Sequence, residues 1–106
     1  MPVIVATPDP EGLLQNIRAH IDQGQIRTWT YDQDGDFTHT PADKQWTNEA
    51  WMRPSIQPGC LVFSYVPRKD RTLPRVVYAI YHGRLVEMLL THFAADLEKI
   101  YATPGL

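Results

Sequence analysis

Asp32, Asp34 and Asp36 stand at alternate positions around Gly35, and His39 follows within the same stretch, YDQDGDFTHTP. Carboxylates are hard oxygen ligands suited to calcium or magnesium. An imidazole oriented by a carboxylate is suited to general-base work. These residue types therefore permit a metal-assisted hydrolase or nuclease, with Asp32, Asp34 and Asp36 as metal ligands and His39 as the catalytic group. Each group also has a plainer role. Asp and Gly are turn formers, so the stretch reads as a solvated acidic hairpin tip. A lone histidine on an apolar strand face is more often held by backbone or hydroxyl hydrogen bonds than used in catalysis. The plainer roles are the ones the sequence favours.

The spacing can be tested against one known device. Asp32, Asp34 and Asp36 fall at the first, third and fifth ligand positions of an EF-hand calcium loop. The match stops there. Phe37 stands where that loop turns on a glycine, Asp43 stands where it needs a bidentate glutamate, and Pro41 interrupts it. The chain contains no nucleophile elbow, HExxH helix, phosphate loop or pair of histidines at helical spacing.

Other residues offer binding rather than catalysis. Arg68, Lys69, Arg71 and Arg75 form the one basic cluster, partly offset by Asp70. It reads as a solubilising loop, or as a surface for an acidic partner or for phosphates. Trp46 and Trp51 are candidate interface anchors, since indoles dominate binding hot spots, although the plainer role, and the one favoured, is to plug the domain's own core. Arg68, Lys69 and Arg71 with the two tryptophans make up the expected partner-binding set. His82, Gly83 and Arg84 fall where a strand is expected to meet a helix, a place that suits an anion. His92 and Asp96 are one helical turn apart and are expected to pair. Cys60 reads as a buried small hydrophobe.

The elements that position these groups follow from hydrophobic period and punctuation. Val3–Ala6 is a β-branched strand. Asp9 and Pro10 suit the N-cap and first position of a helix that carries Leu13, Leu14, Ile17 and Ile21 inward and stops at Gly24. Ile26–Thr40 is a hairpin. A three-residue Gln33-Asp34-Gly35 loop pairs Tyr31 with Phe37 and Trp29 with His39. That register gathers the aromatic residues and His39 on one face and the threonines on the other, and a one-residue slip would scramble both faces. A short helix is expected around Thr47–Met52. Strands are expected at Cys60–Val66 and Arg75–His82, and a long helix from Gly83 that buries Val86, Leu89, Leu90, Phe93, Leu97 and Ile100.

The resulting order, β-α-β-β-(short helix)-β-β-α, predicts a single α+β domain spanning residues 1–106. Its mostly antiparallel sheet of about five strands carries two long helices on one face. The opposite face must be covered by the Trp46/Trp51 loop or serve as a partner or dimer surface.

Ten Lys and Arg against twelve Asp and Glu leave a net charge of −2. That is not the basic excess of a dedicated nucleic-acid binder. One cysteine excludes an internal disulfide and a Cys-rich zinc site. No apolar run approaches the ~18 residues of a membrane helix, and MPVIVATP lacks the pattern of a secretory signal. A cytoplasmic, soluble protein without a cofactor is the expectation. The leading functional expectation is a small protein-binding or accessory module of the inhibitor, immunity or antitoxin kind, acting on a protein partner or as a homodimer. The metal-assisted enzyme and nucleic-acid binding through Arg68–Arg75 stand as alternatives.

Overall fold

The chain alternates short strands with two long helices, and in the computed structural model, which describes residues 2–70 and 75–104, this gives an α+β fold. The elements in order are β1 (Pro2–Ala6), α1 (Pro10–Asp22), β2 (Trp29–Tyr31), β3 (Phe37–His39), β4 (Ala50–Gln57), β5 (Cys60–Pro67), α2 (Arg75–Phe93), a short 3-10 turn (Ala94–Asp96) and β6 (Lys99–Ala102). The six strands form one antiparallel sheet in the order β2-β3-β4-β5-β1-β6.

Helix α1 begins as its sequence dictates. The Asp9 carboxylate accepts the Gly12 N–H at 3.0 Å and Pro10 occupies the first turn, satisfying a donor that has no partner inside the helix. Leu13, Leu14 and Ile17 are buried with Val3, Val5, Phe37, Leu61 and Phe63 of the sheet and Leu85 and Leu89 of α2. Residues paired across strands share a face of the sheet, so both helices pack on the face that carries Trp29, Phe37, Met52, Phe63 and Val3.

Three expectations fail, each for a local reason. Arg75–His82 is helix rather than strand and continues unbroken through Gly83 to Phe93. Its buried positions, Val77, Tyr78, Tyr81, His82, Leu85, Met88, Leu89 and Phe93, recur at helical spacing across the glycine. The β-branched and aromatic composition favours a strand locally, and tertiary packing overrides that preference. His82 and Gly83 consequently lie inside a helix, so there is no helix start there to hold an anion.

The expected short helix at Thr47–Met52 is instead the end of a turn followed by β4. Pro54 sits within that strand. Strand β3 pairs with β4 only at Phe37–Met52, so β4 beyond Met52 has an open edge, where a residue without an N–H is tolerated. Finally, the last helix stops at Phe93, and Ile100 belongs to a sixth strand. There Ile100 pairs with Val5 and Tyr101 with Ile4, giving β1 a second partner. The ending at Phe93 also removes the spacing on which a His92–Asp96 pair depended, and His92 lies edge-on to His20 instead.

Candidate functional site

The β2–β3 hairpin sets the geometry of the first site. Tyr31 faces Phe37 and Trp29 faces His39, the register expected for a three-residue loop. Gly35 has φ +85°, the left-handed conformation that such a loop demands at its third position. The Gly35 N–H donates to the Asp32 carbonyl and the Asp32 N–H to the Asp36 carbonyl, both at 3.0 Å. Within the tip, Asp32 Oδ1 accepts the N–H groups of Asp34 and Asp36, each at 3.0 Å. Asp32 therefore works as a turn brace.

Asp36 is buried, and its carboxylate is held by both arms of Arg53, at 3.1 Å from Nε and 2.9 Å from Nη2. The same contact raises the pKa of Arg53. A carboxylate occupied by a bidentate guanidinium has little left to offer an ion. Among the described residues, no group of three or more His, Cys, Asp or Glu is arranged to hold a metal ion.

Asp32, Asp34 and Asp36 nevertheless share a groove of about 440 Å³ with Trp51, Arg68 and Lys69. The acidic tip of the β2–β3 turn and the basic end of β5 meet there. Arg68 is braced by Asp70 at 2.9 and 2.7 Å. Arg71 lies outside the described residues. Trp46 is elsewhere: it packs against the core on the helix side. The expected partner-binding set is thus divided, with Trp51, Arg68 and Lys69 together and Trp46 apart.

The groove opens onto the sheet face that neither helix covers. Strand register places Tyr101, Ile4 and Val62 side by side on this face, one strand after another. A second apolar pair, Trp51 with Val66, lies beyond a row formed by Arg53, Ser64 and Pro2. Tyr101 is 49 % exposed, while Ile4, Val62, Val66 and Trp51 are half-buried. The sequence anticipates a second sheet face but not the residues that form it. The alternation in Trp51, Arg53, Ser55 and Gln57 becomes informative only once Ala50–Gln57 is taken as a strand.

A second cavity, of about 220 Å³, is lined by His39 together with Asp43, Trp46, Arg84 and Glu87. His39 is only 6 % exposed. Its ring lies 5.0 Å from that of Trp29 and 6.1 Å from that of Tyr81, and among the described residues its buried Nδ1 has no hydrogen-bond partner. Burial, with a contribution from the Arg84 charge, holds its pKa below the ordinary imidazole value, against opposing pulls from the Thr28 carbonyl, Glu87 and Asp43. The imidazole is therefore neutral at neutral pH. His39 lines a different cavity from the groove that holds Asp32 and Asp36, which sets it apart from the groups that the metal-hydrolase alternative would join.

The wall of this cavity is an unusual segment. Lys44, Trp46 and Asn48 all have positive φ, at 62°, 64° and 56°, a conformation that costs energy for residues with side chains. Tyr81 holds it in place. Its hydroxyl donates to the Trp46 carbonyl at 2.5 Å and accepts the Glu49 N–H at 3.0 Å. Beside it, Thr38 Oγ1 donates to the Ala50 carbonyl at 2.8 Å, where β3 and β4 have ceased to pair.

Among the described residues, no helix is long and apolar enough to cross a membrane. No family model matches the chain, and no curated protein or solved structure matches it.

Proposed function

We propose that this chain is a protein-binding module and that it engages its partner through the open face of the sheet. One observation carries the reading: both helices lie on a single face, and the other presents the Tyr101–Ile4–Val62 row and the Trp51–Val66 pair beside a groove lined by both signs of charge. Half-buried and exposed apolar side chains flanked by charged groups are the usual anatomy of an interface, with an apolar centre and a polar rim. Trp51 is the natural anchor because an indole buries a large area against a partner.

The charges favour a protein over a nucleic acid. Asp32, Asp34, Asp36 and Asp70 line the same groove as Arg53, Arg68 and Lys69, and a phosphate backbone would meet those aspartates. A polypeptide segment bearing both signs answers the groove better. Its basic side chain would face Asp34 and its carboxylate Lys69.

The test compares partner capture by the wild-type chain with capture by Trp51→Ala and Val62→Asp on the open face and Leu90→Ala on the outer face of α2. The expected result is one stoichiometric protein that both open-face variants lose and Leu90→Ala keeps, all variants remaining folded by circular dichroism. Sedimentation of the purified chain reports whether a second copy fills the role. A folded monomer whose captured proteins are the same for every variant overturns the reading.

A further inference from the structure

Residues 41–49 join β3 to β4. Several of them line the cavity beside His39 and none lines the open-face groove, so a role for them is independent of the protein-binding reading. We propose that this segment is a strap that opens as one unit while the sheet and both helices stay folded.

Its backbone gives the first reason. Among the described residues, every non-glycine position with positive φ lies in it: Lys44, Trp46 and Asn48, at 62°, 64° and 56°. A side chain disfavours that conformation because its Cβ crowds a backbone carbonyl. Residues stay there only while the surrounding structure holds them. Opening releases all three.

Buried polar atoms give the second. Thr47 Oγ1 in the strap, and Thr40 Oγ1 where the strap begins, are buried with no hydrogen-bond partner among the described residues. An unmet buried hydroxyl costs folding energy, and solvent meets it once the strap lifts.

The restraints, in contrast, are gathered at one end. The Lys44 N–H donates to the Pro41 carbonyl at 2.9 Å, the Thr47 N–H to the Lys44 carbonyl at 3.3 Å and the Gln45 N–H to the Asp43 carboxylate at 3.0 Å. These bonds lie within the strap. Its far end is tied to α2 by the Tyr81 hydroxyl, through the Trp46 carbonyl and the Glu49 N–H. The Trp46 indole packs half-buried against the core. Between Pro41, Asp43, Gln45 and Trp46 of the strap and Arg84 and Glu87 of α2 there is a cavity of about 220 Å³, so part of the strap spans space. Strain spread along a segment, with its anchor at one end, makes a local opening unit. Opening widens the cavity and brings water to Tyr81 and His39.

Native-state hydrogen exchange tests this, read by NMR as protection factors across urea concentrations below the unfolding midpoint. The probes are the amides of Lys44, Gln45, Thr47 and Glu49, compared with those of Leu61 and Phe63 in the central strand β5. The four should share one opening, at least about a hundredfold more frequent than the unfolding that exposes β5, and nearly independent of urea because little surface is uncovered. Tyr81→Phe should speed all four about tenfold, the loss expected for one hydrogen bond. Lys44→Gly, which adopts the left-handed conformation freely, should slow the other three about fivefold. Exchange of the four through global unfolding alone overturns the proposal. So does a Tyr81→Phe that speeds Glu49 by itself, or a Lys44→Gly that leaves exchange unchanged or quickens it.

Discussion

Replacing Gly83 with alanine tests the largest difference between local sequence signal and folded structure. Gly83 is well inside α2, with helix on both sides of it. It is exposed, and a Cβ built there meets nothing within 4 Å. Alanine therefore gains its helix preference without a steric cost, about 0.8–1 kcal/mol for an exposed interior position. Part of that gain comes from the smaller conformational freedom of the unfolded chain. With an unfolding entropy of about 2.1 cal/mol/K per residue, one kcal/mol raises the Tm of a chain this size by roughly 4–5 °C. Urea titration and thermal melting followed by far-ultraviolet circular dichroism measure both quantities. Gly83→Pro is the companion, expected to lose about 3 kcal/mol because it breaks the helix ladder. A neutral or destabilising Gly83→Ala, with Gly83→Pro tolerated, would refute a continuous helix and restore a strand-turn-helix path.

Three further outcomes follow from particular contacts. Tyr81→Phe removes the hydroxyl that holds the Trp46 carbonyl and Glu49 N–H, so stability should fall by about 1–3 kcal/mol. Amide exchange at Glu49 should quicken, and an unchanged exchange rate would show that the clasp is unimportant. Gly35→Ala forces a side chain into φ +85° and brings its Cβ to 2.8 Å from Arg18 Nη2. A loss of about 1–2 kcal/mol is expected in chemical denaturation, and wild-type stability would argue against the bulged turn. His39 has a folded-state pKa below its unfolded value of 6.5. As pH falls below 6.5, the unfolded chain takes up a proton that the folded chain refuses, and stability is lost down to the folded pKa. His39→Gln should flatten that part of the curve of urea midpoint against pH, and parallel curves for the two proteins would disprove the burial argument.

Local chemistry made part of this molecule legible. Asp9 and Pro10 announce a helix start because they answer its unpaired donors at short range. Gly35 and the alternation of Trp29, Tyr31, Phe37 and His39 fix the hairpin register, because a slip would invert every side chain. The burial of His39 follows from that register. The burial of Asp36 does not. It depends on Arg53, seventeen positions away, on a strand that Pro54 disguises.

The same limit governs the sheet and both cavities. Arg75–His82 suits a strand by composition and a helix by period, and only its fit against the sheet, where Tyr78 and His82 meet Tyr65 and Tyr81 meets Trp29, decides between them. Lys99–Ala102 is too short to declare a period, and the unpaired edge of β1 makes it a strand. Signals confined to a few residues are enough to specify α1, the hairpin, β1 and β5. Packing between distant segments settles which of them complete the sheet, which of its faces stays open, and that His39 and the three aspartates line different cavities. Those outcomes depend on contacts between distant parts of the chain, and no local preference encodes them.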